Sequence, residues 1–87
     1  MTKINIYCVF DHEQSLHGVY SSVKAAHRDA LQLCNTGHSP VFLKTSDGFV
    51  APSINVLQNI FKGEIDIKVE YMSNNSIVTI IKTGLKE

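Results

Sequence analysis

Between residues 64 and 83 the chain reads Glu64-Ile65-Asp66-Ile67-Lys68-Val69-Glu70-Tyr71, breaks at Ser73-Asn74-Asn75-Ser76, and resumes as Ile77-Val78-Thr79-Ile80-Ile81. Strict alternation of apolar and charged residues is the period of a β-strand with one face buried, because successive side chains leave a strand on opposite sides. The polar break between two such runs makes the stretch a β-hairpin. It fixes where a core must lie and which surface meets water, and it names no reaction.

Working outward from this hairpin, the same rules assign the rest of the chain. Residues 4–10 alternate Ile4, Ile6, Cys8 and Phe10 against Asn5, Tyr7 and Val9. Both sets are largely apolar, the mark of a central strand or one beneath an interface. The first set is taken as the core face, which leaves Tyr7 and Val9 on the outer one. A polar loop over 11–17 leads to Gly18-Val19-Tyr20, the returning arm of a hairpin. Ser21 or Ser22 can cap a helix in which Val23, Ala26, Ala30 and Leu33 recur at helical spacing, with Thr36-Gly37 as its stop. Pro40 opens a strand over 41–45, Asp47-Gly48 is a tight-turn signal, and 49–51 pairs back. After Pro52, Ser53 caps a short helix with Ile54, Leu57, Ile60 and Phe61 on one stripe and Gly63 at its end. The order is β-β-α-β-β-α-β-β, an α+β fold with two helices packed on one face of a mainly antiparallel sheet.

At 87 residues the chain is expected to form a single domain, 1–87, too small to divide further. Hydrophobic residues make up 44% and charged residues 18%, with eight basic and eight acidic side chains spread without runs. That balance provides no field to draw the protein to DNA, RNA or an anionic membrane, so nucleic-acid binding is not expected. It also removes the charge repulsion that would oppose self-association, and a homodimer is expected. No leader and no apolar run of about 18 residues is present, so the expected location is the cytoplasm, with both thiols reduced. Cys8 and Cys34 could be bridged only with Cα atoms within about 7 Å.

Four groups of residues are candidates for chemistry. Asp11, His12, Glu13 and His17 share one loop, and such side chains can bind a metal for a hydrolase, but a single short segment lacks the supporting partners a metal site needs. No metal or cofactor is therefore assigned. His17, Ser21, Ser22 and Lys24 surround a helix start, where free N–H groups can hold a phosphate or nucleotide, although capping is the favoured explanation of the serines. Cys34 lies four residues from His38 at a helix C-terminus, whose dipole disfavours a thiolate, so no catalytic residue is assigned and no enzymatic activity is expected. Glu64, Asp66 and Glu70 could dock a basic patch, while Tyr7, Val9 and Ile81 belong to apolar strand surface that two helices are too few to cover. This surplus favours protein–protein contact, through the face or through an exposed edge strand.

One resemblance rests on Ile6-Tyr7-Cys8-Val9-Phe10-Asp11 followed by Gly18-Val19-Tyr20-Ser21-Ser22 and the alanine-rich helix. In this order of strand, polar loop, Gly-Val-aromatic-Ser-Ser turn and helix, the first third of the chain resembles the small uncharacterised accessory proteins encoded by tailed bacteriophages. It carries over no site residue. The resemblance implies a protein made in the host cytoplasm during infection that binds a host protein, inhibiting or modulating an enzyme or a defence factor.

Overall fold

The computed structural model describes residues 3–35, 40–45, 48–62, 67–74 and 76–86. The helix stop expected at Thr36-Gly37, His38, Asp47, Gly63, Glu64, Asp66 and Asn75 lie outside the described residues. Within them the elements follow the expected order: β1 (Lys3–Phe10), β2 (Leu16–Tyr20), α1 (Val23–Cys34), β3 (Phe42–Thr45), β4 (Gly48–Val50), α2 (Ile54–Phe61), β5 (Ile67–Met72) and β6 (Ile77–Lys86). The strands form one six-stranded sheet, β2-β1-β6-β5-β3-β4, and every neighbouring pair is antiparallel.

Local chemistry accounts for the boundaries. Ser22 and Ser53 sit in extended backbone and accept the N–H of Ala25 and Val56, each satisfying one of the donors a helix start leaves unpaired. In the β1–β2 connection, Asp11 Oδ1 accepts the N–H of Glu13 at 2.9 Å and of Ser15 at 3.0 Å, which closes a tight polar turn. That turn is shorter than the expected loop, because Leu16 and His17 join β2. The pairing shifts between Val9 and Phe10, which face Gly18 and Leu16. His17 is therefore the extra residue of a β-bulge.

Both helices cover the same side of the sheet. On α1 the residues Ala26, Ala30 and Cys34 are fully buried, a stripe of small side chains that brings the helix close to the strands. From α2, Leu57 and Phe61 point inward, and the Phe61 ring meets Tyr7 edge-on with centroids 5.5 Å apart. The sheet contributes Val9, Leu43, Val69, Tyr71, Val78 and Ile80 to this core.

The faces of β1 are the reverse of the expected ones. Tyr7 and Val9, proposed as outer-face partner contacts, are 8% and 0% exposed and face the helices. Pairing with β6 decides this: Val9 lies opposite Ile80 and Tyr7 opposite Lys82, so the core face of β6 carries Tyr7 and Val9 with it. Ile6, Cys8 and Phe10 consequently line the side without helices, where Ile81, opposite Cys8, also lies.

Candidate interaction surface

The helix-free face can be assembled residue by residue, since directly paired residues in antiparallel strands share a side. One row across the strands runs Phe42, Met72, Ile77. The next runs Phe49, Lys44, Glu70, Thr79, Phe10, Leu16, and the one after it Lys68, Ile81, Cys8, Val19. A fourth pairs Thr83 with Ile6. Among the described residues the exposed large hydrophobics are Leu16, Val19, Phe42, Phe49 and Ile77, and all five belong to these rows. Ile6, Cys8, Phe10, Met72 and Ile81 are half-buried beside them, and among the described residues no helix covers this side. The surface is thus a nearly continuous apolar plane whose described charges are Lys44, Lys68 and Glu70. Isolated exposed hydrophobics are ordinary on a protein surface, but a contiguous plane of them marks a contact site.

The other sequence candidates are not drawn together. Among the described residues no three His, Cys, Asp or Glu side chains approach closely enough to hold a metal ion. Asp11 spends its carboxylate on backbone donors, His12 and Glu13 meet each other at 3.8 Å in solvent, and His17 stands apart in the bulge. At the start of α1, Ser22 and Lys24 border a shallow hollow with Ala25, His27, Arg28 and Ile54, without His17 or Ser21. The Ser22 hydroxyl is occupied as the helix cap. Cys8 and Cys34 are free thiols on opposite sides of the sheet, which rules out a bridge between them. Burial pushes the Cys34 thiol up, away from nucleophilic use. Of the acidic strand, Glu70 alone is described, and it lies opposite Lys44, so the surface there carries both signs.

Sequence reasoning passed over the polar groups that join the layers. The Tyr20 hydroxyl donates to Asp29 Oδ2 at 2.6 Å, tying the edge strand β2 to α1. This bond, reinforced by desolvation and the carboxylate charge, pushes the Tyr20 phenol up to about 12, and it holds the Asp29 carboxyl below its usual value. Tyr71, fully buried, lies 2.5 Å from His27 Nδ1. Desolvation keeps that imidazole below its ordinary value and raises the phenol well above its own, so at neutral pH the contact joins a neutral ring to a protonated phenol, and the ring tautomer sets which of the two donates. Lys82 is buried on the core face and its ammonium donates to the Phe61 carbonyl at the end of α2, where a cation complements the helix dipole. A lysine in the middle of a strand's core face is a signal alternation alone could have raised, because Lys82 follows Val78 and Ile80 at period two. The His27–Tyr71 contact joins residues 44 apart and has no sequence signature.

These polar groups are paired within the fold, and the helix-free face is where the chain has unspent contact area. No protein-family model, no curated protein and no solved structure matches this chain.

Proposed function

We propose that this protein is a small binding module that works by protein–protein contact through the helix-free face of its sheet. The observation that carries the reading is the placement, among the described residues, of all five exposed large hydrophobics on that one face, in register with half-buried apolar neighbours. Burying such a plane stabilises an association by roughly 25 cal/mol for each Å² of apolar surface removed from water, before the cost of immobilising two bodies. The phage resemblance of the first third directs the partner search to the host cytoplasm, with inhibition or modulation of a host enzyme or defence factor as the activity. The test is association with and without a charge at either edge of the exposed face. Val19→Lys and Phe49→Lys should each abolish the complexes that the wild-type chain forms, while leaving the melting temperature of the isolated chain nearly unchanged. A chain that stays monomeric, captures no protein from host lysate and loses nothing in these variants would end the reading.

A second reading, phosphate or nucleotide binding at the start of α1, draws support from the hollow where Ser22 and Lys24 meet His27 and Arg28. Calorimetry with a nucleotide panel tests it, and the absence of heat from every phosphate ligand removes it.

A further inference from the structure

The described charges on the helix-free face lie on two adjacent rows, Lys68 on one and Glu70 with Lys44 on the next. Opposite signs two residues apart on one strand suit a two-fold interface whose axis passes between the two rows, because that axis sets each row against its neighbour on the other copy. We infer that the occupant of this face is a second copy of the chain, packed sheet against sheet about a two-fold axis that crosses the strands between these rows. The inference rests on the docking reading given above and names the partner.

The axis, lying in the plane between the sheets, keeps each strand over its own counterpart and reverses its direction. Lys68 then lies over the second copy's Glu70, and Glu70 over its Lys68. Along β6, Ile81 meets Thr79 and Ile77 meets Thr83. Along β1, Cys8 meets Phe10. Along β6 and β1 large side chains therefore fall on small ones, Thr79 being recessed between its neighbours, the alternation two stacked sheets need to interdigitate at a spacing of about 10 Å, while along β2 Leu16 falls on Val19, two exposed apolar side chains. A shift of one row in either direction loses this match, since it lays Glu70 over Glu70 or Lys68 over Lys68.

The extent of the face agrees with a dimer. Six strands about 4.8 Å apart, and four rows two residues apart along them, define a plane of roughly 500 Å². The relief of the side chains raises that toward the approximately 800 Å² per partner of a standard interface. The Cα atoms span 45 × 26 × 17 Å, a thin slab that presents one broad side as bare sheet. A second slab on that side would complete a four-layer body, helices outside and sheets within, with zero formal net charge per chain to oppose it.

Sedimentation velocity over a dilution series, with circular dichroism as the check on folding, tests the arrangement. The wild-type chain should be a dimer. Lys68→Glu and Glu70→Lys each place two like-charge pairs in the interface and should weaken it about tenfold or more, and the double swap should restore it to near the wild-type value. Independently of any variant, alkylation of Cys8 in the native protein should slow as concentration rises through the dimer range, with Cys34 unreactive throughout. A wild-type chain that is monomeric at every concentration overturns the inference; if it then captures a host protein that Val19→Lys releases, the docking reading survives without it. A dimer indifferent to both swaps and to Val19→Lys lies elsewhere on the molecule and overturns the inference. A dimer lost in the single swaps and not recovered in the double refutes the pairing of Lys68 with Glu70.

Discussion

Gly18 faces the helix side of the edge strand, opposite Val9, and an added Cβ there would lie 2.7 Å from the Tyr20 hydroxyl oxygen and 3.0 Å from its ring carbon Cζ. These are closer than real Cβ contacts, so Gly18→Ala must displace the phenol that β2 uses to reach Asp29. Inserting a methyl into a packed site costs about 1–3 kcal/mol; a half-exposed phenol that can swing outward takes the lower part of that range, about 1.5–2 kcal/mol, from which glycine's lost freedom in the unfolded chain subtracts roughly 0.4–1, for a net cost of about 1 kcal/mol in the parent. Backbone strain adds nothing, because Gly48 is the described glycine with positive φ and Gly18 is not. That leaves a change of sign to look for. With Tyr20→Ala already in place the methyl meets open space, and the loss of glycine's freedom in the unfolded chain should stabilise by roughly 0.4–1 kcal/mol. The coupling between the two sites is therefore about 1.5–2 kcal/mol, well above the error of a double-mutant cycle. Urea denaturation of the four proteins at one fixed concentration measures it, and on heating Gly18→Ala should lower the midpoint by about 4–8 °C. If Gly18→Ala is neutral in the parent, or equally costly in both backgrounds, the steric account of Gly18 is wrong.

The same contact sets a pH window. The folded Tyr20 phenol holds its proton up to about 12 against an ordinary value of 10.0, so the stability this gives is complete below the ordinary value and is lost as pH rises through the folded one. Asp29 runs the other way: its carboxyl is held low, so its contribution is present above the usual carboxylate range and disappears as acid protonates it. Tyr20→Phe should flatten both limbs of the stability profile relative to the parent, and a Phe variant whose profile runs parallel to the parent's at both ends would refute the coupling.

Three further outcomes are expected. His27→Asn keeps a hydrogen-bonding group for Tyr71 and removes the titration; because the half-buried imidazole is held below 6.5, the parent should lose stability as pH falls below that value while the variant loses less, measured by urea midpoints between pH 7 and 4. Lys82→Met retains the apolar stem and leaves the Phe61 carbonyl without its donor, at a cost of about 1–3 kcal/mol in thermal or urea unfolding; a variant as stable as the parent would show that the carbonyl finds another partner. Ile80→Ala empties a fully buried position between Val9 and Val69 and should cost about 2–5 kcal/mol, whereas Ile81→Thr, one residue on and on the opposite face, should leave monomer stability within about 1 kcal/mol and appear in the association constant instead; equal losses of monomer stability would refute the assignment of faces.

The elements were legible because their signals are local. Alternation in 67–71 and 77–81, serine before each helix, and Gly48 after a turn residue all act within a few positions, and each corresponds to an observed boundary. The faces of β1 were not legible, since Ile6-Tyr7-Cys8-Val9-Phe10 is apolar at both parities, as Ile77 to Ile81 of β6 nearly is, and only the pairing of β1 through β6 to the cleanly alternating β5 breaks the tie. The bulge at His17 was hidden for a related reason: it is a property of the register between two strands, and neither strand reveals it alone.

That ambiguity carries the functional argument. A strand buried on one face and wet on the other has no use for Ile6, Cys8 and Phe10 beside Ile81, and in a monomer each would keep part of its surface in water with no compensating contact. A chain of this size gains most from association when its own core is small, since burying a second sheet face roughly doubles the layers around the β-surface without lengthening the chain. Double-sided apolarity in β1, mixed signs that among the described residues are confined to Lys44, Lys68 and Glu70, and threonines alternating with Ile77 and Ile81 along β6 are separate facts of sequence and register. On the proposed reading they converge on one arrangement, a sheet covered on both sides, of which the helices of this chain cover one.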